Sequence, residues 1–165
     1  MANRFEVLLY GGRLGEFMDD ELKPYLREQW LDLGFFYKRD VVAKEMRIVG
    51  SRAGLAAFAR LLREYAEDSR NAMQSEHEHY GPYGDLKVMT WPDASMDRRS
   101  ICGTLQDLKR LAELIDERVA ALQPGALARI REEYSATSEC GLVLDVREDG
   151  FDPASLDGNL TTTTR

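Results

Sequence analysis

Apolar positions fall at helical spacing in two stretches that are copies of one another. Ile48-Val49-Gly50-Ser51 leads into Leu55, Phe58, Ala59, Leu62 and Ala66. Ile101-Cys102-Gly103-Thr104 leads into Leu108, Leu111, Ala112, Ile115, Val119 and Leu122. Equivalent positions keep a constant spacing of 53 residues (48 to 101, 62 to 115). Each pattern predicts a strand that passes through glycine into an amphipathic helix, since recurrence at three and four residues builds one apolar stripe. Ser51 and Thr104 are good N-caps, with Asp107 as an imperfect capping-box partner to Thr104. A tyrosine (Tyr80, Tyr134), a polar loop and a short apolar run follow each helix, the runs being Leu86 to Trp91 and Leu142 to Val146. Recurrence of this kind marks a duplicated supersecondary unit, here about 41–91 and 98–147.

Outside the repeats, Phe5 to Tyr10 alternates as a strand does, and Gly11-Gly12 and Gly15 end it. A helix is predicted from Asp19-Asp20, with Pro24 in its first turn, an apolar set of Leu22, Tyr25, Leu26, Trp30 and Leu33, and a stop at Gly34. Phe35-Phe36-Tyr37 has no clear state. The first repeat opens with a strand near Val41 to Val49, Met46 and Ile48 facing one way and Glu45 and Arg47 the other. Pro92 to Ser95 is a turn, and Arg99 to Cys102 a strand. Gln123-Pro124-Gly125 breaks the chain before a short helix from Ala126 to Tyr134. Asp149 to Pro153 and Thr161 to Thr164 suggest coil and a frayed end.

In order, these elements give β-α-β-β-α-β with an extra βα element ahead. That is an α/β (α+β) chain of ferredoxin-like, duplicated βαβ units, with helices on one face of a mixed or antiparallel sheet. A doubly wound sheet fits less well, because the link near Pro92 has hairpin length and parallel neighbours need a crossover. The expected plan is a single domain over 1–150 and a flexible tail over 151–165.

Composition narrows the function. The chain has 165 residues, 44% hydrophobic and 31% charged, as in ordinary globular proteins. No run approaches the roughly 20 apolar residues of a membrane span, and the N-terminus lacks the apolar core of a signal peptide. The expected location is a cytoplasm, most simply a bacterial one. A net charge of −7 and a pI near 5.0 disfavour a nucleic-acid partner and suit a basic protein partner. Cys102 and Cys140 lack metal or redox spacing and are expected to be buried and reduced.

The densest polar segment is Glu76-His77-Glu78-His79-Tyr80-Gly81-Pro82-Tyr83-Gly84-Asp85. From Glu64 to Asp85 the acids Glu64, Glu67, Asp68, Glu76, Glu78 and Asp85 face one base, Arg70. One-sign charge interleaved with tyrosine combines steering with anchoring. Glu76, His77, Glu78, His79, Tyr83 and Asp85 are therefore the candidate partner-binding residues, Tyr83 as anchor, while Tyr80 packs on the sheet like its counterpart Tyr134. His77 and His79 share a face if extended, yet no further ligand completes a metal site. No catalytic set and no cofactor motif is predicted: GxSxG, a P-loop and the aromatic RNA-binding pattern are all missing. Two alternatives stay open. One is a small-molecule-binding domain or enzyme with a pocket at the Gly50-Ser51 and Gly103-Thr104 turns, joined by Arg52, His77 and His79. The other is a homodimer formed through an exposed sheet face or edge.

The run Met46 to Leu62 (MRIVGSRAGLAAFARLL), then His77-Glu78-His79 and Leu86-Lys87-Val88, resembles a small bacterial family. Its members pair a strand–Gly–x–x–x–Gly–Leu helix opening with a His-rich loop and a final strand. They are immunity proteins of polymorphic toxin systems. The resemblance spans roughly residues 46 to 90, and implies an interaction module that binds and occludes a cognate toxin.

Overall fold

The computed structural model describes residues 20–161. The strand expected at Phe5 to Tyr10, its glycine break, Asp19, and the threonines from Thr162 lie outside the described residues. Helix α1 (Lys23–Leu33) has Pro24 in its first turn and ends at Gly34, whose left-handed φ of 88° lets its N–H return to the Trp30 carbonyl. Leu26 and Trp30 are its buried residues; Tyr25, expected on the same stripe, faces outward.

The first half continues with strands β1 (Phe36–Asp40) and β2 (Glu45–Gly50), helix α2 (Arg52–Glu67), and strands β3 (His77–Tyr80) and β4 (Leu86–Thr90). The second half repeats the plan as β5 (Ser95–Met96), β6 (Ser100–Gly103), α3 (Leu105–Ala121), β7 (Leu127–Ile130) and β8 (Gly141–Val146). A 3₁₀ turn (Pro153–Leu156) and one helical turn, α4 (Gly158–Thr161), follow.

The fold is mixed α+β, as expected, but its strands form two four-stranded sheets in place of one ferredoxin-like sheet. Their orders are β1-β2-β8-β7 and β3-β4-β6-β5. In each, a central parallel pair (β2 with β8, β4 with β6) is flanked by antiparallel edges. Each sheet takes one hairpin from each half, so neither half completes a sheet alone. The parallel pair β4–β6 needs no helical crossover, because the chain passes to the far side, forms β5, and returns by a hairpin into the vacant slot. The registers also match between sheets: Gly50 faces Val146 as Gly103 faces Thr90.

Four edge strands account for the difference. Phe36–Asp40 is a strand; Val41 and Val42, expected within one, are the exposed tip of its hairpin. His77–Tyr80 is a strand where a loop was expected, and Leu127–Ile130 is a strand where a short helix was expected. Ser95–Met96 extends the turn after Pro92 into an edge. Edge strands carry backbone pairing on one side and little apolar alternation, so periodicity misses them.

One core joins both sheets and both long helices. Met46, Ile48, Leu142 and Leu144 meet Leu86, Val88 and Ile101 over the stripes of α2 and α3. Those stripes are the predicted ones, Leu55 to Ala66 and Leu108 to Val119. Each such fully buried side chain contributes on the order of 1.5–3 kcal/mol. Arg63 of α2 bonds Asp116 of α3. These two positions are separated by the same spacing of 53 as the recurring pattern (63 to 116).

The segment from Asp152, expected as flexible tail, packs back on α1. Arg27 bonds Asp152 at 2.8 Å. Trp30 Nε1 donates to Asp157 Oδ2 at 2.8 Å, and Ala154 and Asp157 are buried. A lone aspartate gives no periodic signal of such docking.

Candidate functional site

Strand β3 and the loop into β4 carry the predicted binding residues. After α2, Asp68 caps a 3₁₀ turn (Ser69–Asn71) and binds the Arg70 guanidinium, at 2.7 Å to Nη2, which holds its carboxyl below the usual range. The chain then turns at Ser75, whose φ of 76° is rare for a residue with a side chain. Every residue from Ala72 to His79 is exposed.

Pairing with β4 sets which way each side chain points. Glu78 lies opposite Val88 and Tyr80 opposite Leu86, while His77 and His79 lie opposite Met89 and Lys87. The two imidazoles therefore share a face, with ring centroids 5.3 Å apart and edge-on. His77 Nδ1 sits 3.0 Å from the Ser75 carbonyl, and His79 Nδ1 sits 2.8 Å from that of Gly84. Both rings are held by backbone. Among the described residues, no three His, Cys, Asp or Glu side chains are grouped to hold a metal ion.

On the other face, Tyr80 packs against the core and donates to Glu78 Oε2 at 3.1 Å. Burial raises the Tyr80 phenol, and the charges of Glu78 and Glu64 raise it further. Burial also raises the Tyr65 phenol, with Glu76 and Glu78 adding to it. Glu64, Glu76 and Glu78 thus act on one patch, although they come from α2 and from both ends of the β3 approach.

The loop is braced from inside the fold. The Tyr37 hydroxyl donates to the Tyr80 carbonyl at 3.0 Å and accepts from the Asp85 N–H at 3.2 Å. Burial, with the Asp85 charge, pushes its phenol up to about 12. A Cβ on Gly81 would lie 2.5 Å from that hydroxyl, and φ there is 87°, so glycine is required. Tyr83 is half-buried and points away from Glu76 to His79. Its hydroxyl donates to Asp157 Oδ2 at 2.7 Å and accepts from Asn159 Nδ2 at 3.3 Å, with its ring edge-on to Trp30. Asp85 is exposed at the start of β4. Glu76, His77, Glu78, His79 and Asp85 are all exposed along this edge, the histidines on one face of β3 and Glu78 on the other, and Tyr83 ties the loop to the C-terminal segment. Tyr37, Tyr65 and Asp157 shape the site and gave no sequence signal, because their hydrogen bonds span long stretches of chain.

The strand–glycine turns are occupied by their own caps. Ser51 Oγ accepts from the Gly54 N–H at 3.2 Å, and Thr104 and Asp107 form a reciprocal capping box. A Cβ on Gly54 would lie 2.2 Å from the Gly34 carbonyl oxygen, so the end of α1 sits directly on the start of α2. A cavity of about 20 Å³ lies elsewhere, among Val41, Met46, Arg98 and Cys140, with room for a water molecule. Cys102 and Cys140 are buried free thiols, and burial raises both. No described helix is long and apolar enough to cross a membrane.

No curated protein and no solved structure matches the chain. Residues 45–93 do match a family model, that of Immunity protein 32. The matched stretch runs from β2 through α2 and β3 to just beyond β4, and it contains the whole acidic edge. Over these residues the chain resembles the immunity proteins of toxin systems.

Proposed function

We propose that this protein is an immunity protein that binds a cognate bacterial toxin in the cytoplasm and neutralises it by occlusion. One observation carries the reading: the stretch that matches the immunity family is the one that presents an exposed, acidic strand. Glu76, His77, Glu78, His79 and Asp85 form the contact surface, with Glu64 adding charge beside them. A basic region of the toxin is the complementary partner, steered by opposite charge and then held by close contact. Tyr83 contributes by fixing the shape of the 81–84 turn.

The test is co-expression with the toxin encoded beside it, joined to a binding titration with the purified pair. The chain is expected to restore growth, and rising salt to weaken the complex. The double substitution Glu76→Lys, Glu78→Lys should cost about 2 kcal/mol or more of binding while leaving the unfolding curve in place. Unchanged affinity would remove this surface from the interface, and growth arrest despite expression would overturn the immunity reading.

A further inference from the structure

The two halves of the fold present equivalent edge strands, β3 and β7, and treat them differently. In β7, the Val146 N–H donates to the Ala126 carbonyl. In β3, the Thr90 N–H donates to the Glu76 carbonyl. Antiparallel ladders alternate between hydrogen-bonded and non-bonded pairs. The bonded pairs therefore continue at Glu78 and Tyr80 in β3, and at Ala128 and Ile130 in β7. The backbone groups of His77 and His79, like those of Leu127 and Arg129, point away from their sheets.

In the second half, Arg118 of α3 covers part of the edge. Its Nη1 donates to the Arg129 carbonyl at 3.1 Å, and its Nη2 to Glu133 at 2.6 Å. The equivalent residue in α2 is Tyr65, and its hydroxyl turns inward, to the Glu76 carbonyl at 2.7 Å and Thr90 Oγ1 at 2.8 Å. Among the described residues, no side chain reaches the carbonyl of His77 or His79. Same-sign charge at Glu76 and Glu78 would repel a second copy of this edge, the usual protection of an open strand against self-pairing. An incoming strand with lysine or arginine at alternate positions meets the opposite condition.

We propose that the outer edge of β3 is a strand-addition site, at which an extended basic segment of the partner pairs with the backbone of His77 to His79. Main-chain bonds supply the register and the acidic side chains select the sign of the partner. This deepens the immunity reading and rests on it for the partner's identity, but the edge is testable alone.

The probe is an alternating Lys-Val hexapeptide added to the full-length chain, with a Glu-Val peptide of equal length as control. Amide hydrogen exchange at His77 and His79 is followed by NMR. Both amides should exchange rapidly in the free chain and slow by about tenfold or more with the Lys-Val peptide only. His79→Pro should abolish the effect and keep the fold, because the lost N–H faces outward. Glu78→Lys, with its backbone intact, should remove the preference for Lys-Val. Protection of both amides in the free chain would show the edge already covered and overturn the proposal. So would exchange unchanged by the peptide. Toxin neutralisation undiminished in His79→Pro would likewise overturn strand addition while leaving the immunity reading standing.

Discussion

Gly54 and Asp107 occupy the same position in the two repeats, three residues into each helix, and do opposite things there. Asp107 closes the capping box on Thr104, accepting from the Thr104 N–H at 3.0 Å. Gly54 has no side chain because the Gly34 carbonyl occupies the space. Both helix starts carry a hydroxyl cap, but only α3 has room for the reciprocal carboxylate; the start of α2 is a docking platform for α1. The edges diverge likewise: Arg118 reaches the Arg129 carbonyl of β7, whereas among the described residues no side chain reaches the outward carbonyls of β3. Within the recurring pattern, the second half caps its own helix and part of its own edge, and the first half docks α1 and, among the described residues, has an uncovered edge.

Making the halves alike should break the protein where that difference is structural. Gly54→Asp drives a Cβ into backbone and should destabilise by about 3 kcal/mol or more. The mirror change, Asp107→Gly, loses a cap and adds a helical glycine, for about 1–2 kcal/mol. Urea denaturation of both variants checks this, and equal losses would refute the asymmetry.

Arg118→Ala should open the β7 edge at a cost of about 1 kcal/mol, most of the pair being solvent-screened. It should also change the pH response. The Arg118 guanidinium holds the Glu133 carboxyl down to about 2, aided by backbone hydrogen bonds. A carboxyl lowered in the folded state stabilises above its unfolded pKa, and that contribution fades as pH falls toward the folded one. Stability from this pair is thus complete above about pH 5 and gone near pH 2, a window set by ordinary carboxyl titration. The variant should show a flatter acid limb in denaturation curves recorded from pH 7 to pH 2.5.

The smallest effect concerns the turns before the two edges. Ser75 and Gly125 each donate their N–H to the facing strand end, to Thr90 and Val146, and both have positive φ, 76° and 90°. Only one of them is glycine. Ser75→Gly should therefore stabilise by about 0.5–1 kcal/mol, raising the urea midpoint, since a side chain is disfavoured in that conformation. Destabilisation would mean the Ser75 side chain contributes more than its backbone strain costs.

The sequence by itself determined the recurring strand–glycine–helix pattern, both long helices with their caps, and the four inner strands, β2, β4, β6 and β8. These signals are local: a stripe of Leu55, Phe58 and Leu62, a hydroxyl before a helix, a buried run such as Leu142 to Val146. It also marked the acidic segment from Glu76 to Asp85 as exposed and distinctive. Only the tertiary structure decided the pairing of hairpins across halves, because a strand's own residues do not state which partner completes its ladder. It decided the edge strands too, since His77–Tyr80 and Leu127–Ile130 are strands by virtue of their neighbours. Tyr83 makes the same point, its hydroxyl being committed to Asp157, a residue 74 positions away. Periodicity reports what a segment buries along itself, whereas long-range hydrogen bonds and open edges arise only where distant segments meet.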